Sequence, residues 1–175
     1  MMGQIEHLSY YENKELQAVA LNYEGYEMYF LVVLPRPGVA VSHVGFDKLG
    51  QILNGLENEE VNVLLPRFKI EAELSEVPDR LRKLGIHRLF DGAQSELGKI
   101  MAPAEGPLFV SDIIHKAMIE VNEEGTEAAA VTVAEMRAGG MPSQKVPKYF
   151  HADHPFRFYV IHKETKSVLF SGQYF

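Results

Sequence analysis

Residues 120–134 constrain the fold most, because they combine strand-forming residues with a run of small side chains. Surface loops are usually built from Gly, Pro, Asn, Asp and Ser, which adopt turn geometries at low cost. The chain after Gly125 is instead rich in Ala, Thr and Val, which suit regular, packed structure. In an extended strand, one face would carry only Thr126, Ala128, Ala130 and Thr132, and the other Glu127, Ala129 and Val131. The pattern predicts a segment that can enter a β-sheet without displacing a packed core.

Composition predicts a single globular domain with a substantial hydrophobic core. The chain has 175 residues, of which 46% are hydrophobic. The formal net charge is −7 and the basic residues are scattered, which argues against nucleic acid and anionic membranes as partners. The absence of cysteine excludes disulfides, thiol catalysis and cysteine metal sites.

The sequence favours a cytoplasmic location. It contains no cysteine, and residues 1–7 lack the apolar core of a signal peptide. An extracellular location is expected instead if an N-terminal part of the protein is missing. The apolar run at residues 29–34 is too short to span a bilayer.

The first half of the chain shows strand patterns with one helical interval. Strands are predicted at residues 16–21 and 26–34, joined by a hairpin-like connection and ended by the Pro35-Arg36-Pro37-Gly38 motif. Apolar residues at helical spacing predict a helix over residues 45–57. Residues 61–74 return to strand character, with Pro66 as a kink or edge mark.

The second half begins with a short helix, is loop-like over residues 91–106, and ends in strands. Ser75 is predicted to cap the helix, which stops at Gly85. A strand over residues 108–121 is predicted to lead directly into the small-residue segment, and residues 156–161 and 167–175 to form a closing hairpin.

Four stretches occur along the chain in one order and together carry a family resemblance. They are residues 110–130, the segment Leu64-Leu65-Pro66-Arg67-Phe68-Lys69-Ile70-Glu71, the pair Leu84-Gly85-Ile86 and Leu89-Phe90-Asp91, and the pair formed by residues 150–158 and Leu169-Phe170-Ser171-Gly172. The first resembles the fifth strand and reactive-loop hinge of the serpins. The second resembles their Leu-Pro-Lys-Phe-Lys segment, the third the helix and turn after it, and the last the signature that follows the reactive loop.

The resemblance implies an α+β serpin fold of mostly antiparallel sheets, a few short helices and a long exposed reactive loop. Residues 1–175 would be the C-terminal portion of a serpin domain, with the hinge and reactive-centre loop at residues 122–150. The N-terminal helices and the first strands of the sheet that receives the loop have no counterpart. A partner fragment, a truncated relative and an incomplete sequence all remain open as explanations.

The resemblance further implies a protease inhibitor that works by loop cleavage, covalent trapping of the enzyme and insertion of the cleaved loop as a strand. In that mechanism Gly125 suits the hinge because glycine adopts backbone angles that other residues resist. Small side chains speed insertion, because large or charged ones add packing and desolvation costs. The hinge residues implied are Glu123, Glu124, Gly125, Thr126, Glu127, Ala128, Ala129 and Ala130.

The bond that the protease would cleave has several candidates. The family's usual spacing from Gly125 gives Gly139-Gly140, although glycine fills a specificity pocket poorly. Met141 would suit elastase-like or chymotrypsin-like enzymes, whereas Arg137 or Lys145 would suit a trypsin-like enzyme. Alternatively, the two glycines only let the loop arch outward while their neighbours decide specificity.

The histidines and the possible catalytic motifs lead to further predictions. His115 matches the family's histidine beneath the sheet, where hydrogen bonds of a buried imidazole would hold the sheet closed before it opens. The segment His151-Ala152-Asp153-His154 is predicted to be a turn before the next strand rather than a metal site, since no third ligand cluster accompanies it. No catalytic triad or phosphate loop is present, so neither an enzyme nor a cofactor is predicted.

Two hypotheses follow. The first is an inhibitor of serine, or alternatively cysteine, endopeptidases, whose partners are the target enzyme and a second chain supplying the N-terminal half. The second is a non-inhibitory fragment that acts as a protease substrate or an interaction module.

Overall fold

The protein is built mainly from β-strands. The computed structural model describes residues 2–100, 107–122 and 146–175. In these ranges the strands are β1 (Met2–Glu12), β2 (Leu16–Asn22), β3 (Met28–Pro35), β4 (Glu57–Leu65), β5 (Phe68–Leu74), β6 (His115–Val121), β7 (Lys148–His151), β8 (Phe156–His162) and β9 (Val168–Tyr174). The helices are α1 (Leu49–Asn54) and α2 (Val77–Lys83), with 3-10 turns at Val41–His43, Phe46–Lys48 and Arg88–Phe90.

The chain divides into two compact units, one of residues Met1–Phe68 with Glu120–Phe175 and one of residues Lys69–Ile119. The first unit contains a seven-stranded sheet in the order β7-β4-β1-β2-β3-β8-β9. Its neighbouring strands pair antiparallel except β4 and β7, which pair parallel. The other sheet contains β5 and β6.

Strand β3 lies in the interior of the large sheet, between β2 and β8, and its sequence explains why. From Tyr29 to Pro35 every residue is buried, so both faces of the strand are covered. One face packs beneath α1 and the 3-10 turns before it. The core there comprises Leu16, Ala18, Ala20, Tyr29, Leu31, Val33, Val44, Leu49, Ile52, Tyr159 and Ile161. Each large apolar side chain buried in this way contributes roughly 1.5–3 kcal/mol.

The opposite face of the sheet carries a cluster of aromatic rings. The Phe158 ring lies 5.6 Å from the rings of both Phe30 and Phe68, measured between centroids. Tyr174 stacks on Phe156 at 5.0 Å. Gly172 pairs with Phe158 across β8 and β9, and only a hydrogen at that position leaves room for the Phe158 ring.

The helix predicted over residues 45–57 is shorter than expected. Gly45 is extended, the 3-10 turn Phe46–Lys48 follows, and α1 then runs for only six residues to Asn54. Gly55 ends α1, and a side chain there would collide with the Tyr11 ring at 2.7 Å. The apolar spacing was therefore interpreted correctly as helical, but glycines at both ends limit its length.

Two strand predictions need correction. Residues 61–74 form two strands instead of one, because Pro66-Arg67 separates β4 in the large sheet from β5 in the small one. Residues 108–121 are a strand only from His115 onward. The partner strand β5 has seven residues, as β6 does. It is therefore long enough to pair only with the second half of the strand predicted over residues 108–121. The closing hairpin is confirmed as β8 and β9.

Helix α2 ends as predicted but begins differently. Its N-cap is Glu76, with no side-chain hydrogen bond, so the predicted cap by Ser75 is wrong. At the other end Gly85 has φ +92°. Gly85 N–H donates to Arg82 O at 2.9 Å and Ile86 N–H to Leu81 O at 3.0 Å, which are the two bonds of a Schellman motif. In the described ranges, no helix is long and apolar enough to cross a membrane.

Candidate functional site

Strand β6 is the element that leads into the predicted hinge. It pairs with β5 in a two-stranded sheet. Because side chains alternate along a strand, Lys116 and Met118 share one face of β6, and His115, Ala117 and Ile119 share the other. The Lys116 ammonium group lies 3.0 Å from the Glu73 carboxylate of β5, which marks the first face as polar.

The opposite face of this small sheet is apolar. In β5 it carries Ile70, Ala72 and Leu74, and in β6 it carries Ala117 and Ile119. None of these five side chains is fully buried. A face of this composition is typical of a sheet that packs against further structure.

His115 lies on the apolar face at the first position of β6, and its side chain is exposed. The expectation that His115 is buried is therefore not met in this structure. Two strands offer too little surface to cover an imidazole at the end of one of them. Its role in holding the sheet closed stays a prediction.

The outer edge of β6 is the chemically important feature of the small sheet. In the described part of the chain this sheet consists of β5 and β6 alone, so each strand has one edge without a neighbouring strand. Such an edge presents main-chain N–H and C=O groups that can pair with another strand. The predicted hinge follows β6 in sequence, so it comes directly after a strand whose outer edge has no partner among the described residues.

The residues predicted to do the chemistry lie outside the described ranges. These are the hinge residues Glu123, Glu124, Gly125, Thr126, Glu127, Ala128, Ala129 and Ala130, and the cleavage candidates Arg137, Gly139, Gly140, Met141 and Lys145. They stay predictions. The structure describes the strands that flank these residues in sequence, β6 before them and β7 after them.

Strand β7 begins at Lys148, so the last three residues of the predicted loop, 148–150, belong to this strand. Its four residues pair in parallel with residues 61–64 of β4, and Ala152 N–H donates to Leu64 O at 2.8 Å just beyond it. The Lys148 ammonium group contacts the carboxylate of Glu12, the last residue of β1. Sequence analysis missed this contact, because no local pattern connects residues so far apart in the chain.

The predicted turn after β7 is held by His154. Its Nδ1 lies 2.7 Å from the Asp153 carboxylate and its Nε2 lies 2.7 Å from the Pro35 carbonyl oxygen. Burial alone would lower the pKa of His154, but the Pro35 carbonyl and the Asp153 carboxylate raise it overall. In the part of the chain that is described, no group of three or more His, Asp and Glu residues is placed to hold a metal ion.

Comparison with known proteins gives consistent matches over the whole chain. The family model for serpins (serine protease inhibitors) matches residues 1–175. A serpin-like protein of Thermococcus kodakarensis is 37% identical over 99% of this chain and 40% of its own length. The leukocyte elastase inhibitor of Equus caballus is 35% identical over 95% of this chain and 45% of its own.

Solved structures agree with these sequence matches. The native-state crystal structure of tengpin, a thermophilic serpin, aligns with a TM-score of 0.73 and 27% identity, covering 98% of this chain and 44% of tengpin. The chain thus spans less than half the length of the relatives it matches.

Proposed function

Because this chain belongs to the serpin family and has the predicted α+β fold, we propose that it is the loop-bearing C-terminal portion of a serpin-type endopeptidase inhibitor. The relatives with assigned names include protease inhibitors, such as the leukocyte elastase inhibitor. The proposed targets are serine endopeptidases, with cysteine endopeptidases as the alternative.

The observation that carries the proposal is the outer edge of β6, which pairs with no strand in the described ranges and directly precedes the predicted hinge in sequence. A loop cleaved within residues 135–145 would have a new end, and the segment from Gly125 onward would turn back and pair along the β6 edge as an added strand. The apolar face of β5 and β6 would be extended by that strand. Small hinge side chains would enter it with little rearrangement.

The proposed mechanism divides the work among three parts of the chain. The segment around Gly139-Gly140 and Met141 would offer the protease a bond to attack, and the enzyme would be held as an acyl intermediate on the new end. Residues 125–130 would insert first. The enzyme, attached to the end of the inserting segment, would be carried along with it. Strand β7 would hold the other end of the loop in place. Relief of strain in the sheet would drive insertion.

A second candidate function is that of a protease substrate or interaction module. The observation in its favour is that the small sheet contains two strands in the described chain, so a receiving sheet with strands on both sides of the loop would need further polypeptide. The proposed inhibitor would then act only with a second chain that completes the sheet.

The deciding experiment is incubation of the protein with serine and cysteine proteases, followed by denaturing gel electrophoresis and mass spectrometry. We expect a covalent complex that survives SDS, with the cleavage mapped to residues 135–145. Native mass measurement would show whether a second chain accompanies the protein. Cleavage in this segment without any complex would refute inhibition by this chain and leave the substrate function.

A hinge variant gives a sharper test. Thr126→Arg places a charge at the first position to be inserted, and burying it without a partner is costly, so we expect the complex to be replaced by cleaved product. Ser111→Arg is the matched control, because it adds the same charge at an exposed position outside the predicted hinge and loop. Equal complex formation by both variants would contradict the assignment of the hinge.

A further inference from the structure

The carboxylate of Glu12, the last residue of β1, accepts hydrogen bonds from three donors. Lys148 Nζ donates to it at 2.5 Å, Arg36 Nη2 at 2.6 Å and the Tyr10 hydroxyl at 3.1 Å. The Glu12 side chain retains 35% of its exposure, so the group is partly screened from water. Hydrogen bonding from Lys148 is the main reason why the pKa of Glu12 is lowered, and Glu12 is therefore ionised at neutral pH.

A second connection runs from Arg36 to the main chain of β7. With its amide oriented to match its neighbours, Gln17 donates to the Tyr149 carbonyl oxygen at 3.2 Å and accepts a hydrogen bond from Arg36. Arg36 thus joins Glu12 to Gln17. We call Glu12, Gln17, Arg36 and Lys148 the Glu12 cluster. It holds two consecutive residues of β7, one by its side chain and one by its backbone.

Strand β7 depends on such contacts because its own pairing is weak. It has four residues, lies at the edge of the sheet and pairs with β4 in parallel. Short strands and parallel pairs are held less firmly than long antiparallel ones. Phe150 is fully buried and holds the middle of β7 by packing, whereas Val146 and Tyr149, which lie nearer the loop, are 75% and 56% exposed. Hydrophobic burial therefore adds little on the side of Phe150 that faces the loop. Charge-assisted hydrogen bonds to Glu12 hold β7 at the positions that packing leaves exposed.

We propose that Glu12 is a positioning residue for the reactive loop, because its cluster fixes the strand to which the C-terminal end of the loop is attached. This proposal rests on the proposed function, which assigns the segment between β6 and β7 as the reactive loop. Glu12 touches neither the hinge nor the cleavage candidates, and it acts only through Lys148 and through Arg36 with Gln17. The chain would thus carry a dedicated anchor for one end of the loop and leave the hinge end free to move into the sheet.

Hydrogen–deuterium exchange of the full chain tests the anchor without any protease. Glu12→Gln keeps the shape of the side chain but removes its charge, and Lys148→Met removes the main donor. In each variant we expect the amides of residues 148–152 to exchange about two- to fivefold faster, the range for partly exposed ion pairs. Amides of β8 should not change. The double variant should be no faster than Glu12→Gln alone, because the Glu12 substitution already weakens the Lys148 contact.

Two controls separate anchoring from general weakening. Lys148→Arg keeps a donor within reach of Glu12 and should retain slow exchange. Glu15→Gln breaks the Lys48–Glu15 ion pair elsewhere in the same unit and should leave β7 unchanged. Unchanged exchange of β7 in Glu12→Gln, or equal acceleration of β7 and β8, would overturn the proposal. Failure of inhibition in the protease assay would leave this result intact, so the two proposals are tested independently.

Discussion

The contact between Gly172 and Phe158 predicts that one added methyl group destabilises the large sheet. A Cβ atom on residue 172 would lie 2.2 Å from Phe158 Cζ and 2.8 Å from both Cε atoms. Carbon atoms in contact normally stand about 3.5–4.0 Å apart, so the overlap exceeds roughly 1 Å. The Phe158 ring has no easy escape, since it is 3% exposed and packs against Phe30 and Phe68.

The magnitude follows from two opposing effects. Overpacking a core by one methyl group costs about 1–3 kcal/mol when the neighbours must shift. Alanine also restricts the unfolded chain and recovers about 0.4–1 kcal/mol where its backbone angles are allowed. The steric cost dominates here because a whole aromatic cluster must move. We therefore expect Gly172→Ala to lose roughly 1–2.5 kcal/mol, which is a fall of about 2–4 °C in Tm for each kcal/mol in a chain of this size.

The assay is urea unfolding followed by circular dichroism, with the midpoint compared at constant slope. Gly50→Ala is the matched control, because Gly50 is exposed in α1 of the same unit and a Cβ there meets nothing within 4 Å. It should gain roughly 0.5–1 kcal/mol from helix propensity. Adding Phe158→Leu to Gly172→Ala should show favourable coupling, since the smaller side chain makes room. A Gly172→Ala protein that unfolds at the wild-type urea concentration with the same slope would refute this steric argument.

Two further predictions concern single residues in turns. Both acceptors facing His154, the Asp153 carboxylate and the Pro35 carbonyl, are satisfied together only by the protonated ring, and its folded pKa is raised above the unfolded value of 6.5. The contribution of His154 to stability should therefore be complete below that value and be lost as pH rises through the folded pKa. The free energy of unfolding, measured from pH 5 to 8, should fall with pH in this way in the wild type and not in His154→Gln. Parallel pH dependences of the two proteins would contradict the prediction. Gly85→Ala should cost about 1 kcal/mol, because φ +92° is unfavourable for alanine although no atom lies within 4 Å of the added Cβ. Gly98→Ala, which meets no atom and has no positive φ, should instead gain about 0.4–1 kcal/mol in the same urea assay.

The sequence predicted those features of the fold that neighbouring residues determine. The run ending at Pro35 and the turn at Gly85 were identified because proline and glycine act on their own neighbours. Strand β1 was not predicted, since residues 2–7 have little apolar character and form a strand through pairing with β4. Residues 108–114 were predicted to be a strand and are not, because their pairing depends on a partner elsewhere in the chain.

The candidate site divides in the same way. The hinge and the cleavage candidates were chosen from composition and family resemblance, and they stay predictions. The Glu12 cluster had no sequence signature, because its four residues come from β1, β2, the end of β3 and β7. Exposure of His115 could not be foreseen either, since burial depends on how many strands stand beside β6.

The parallel pairing of β4 with β7 also has a consequence for the order of folding. Hairpins such as β1–β2, β2–β3 and β8–β9 join neighbours in sequence, and their loops close quickly. Val61 meets Lys148 only after nearly half the chain has been brought together, which costs loop-closure entropy before any contact repays it. Strand β8 pairs with β3 over a still longer separation, so we expect β7 and the β8–β9 hairpin to join the sheet only after β1–β4 have paired. During synthesis, β1–β4 would emerge and pair well before the ribosome releases the strand that completes their edge.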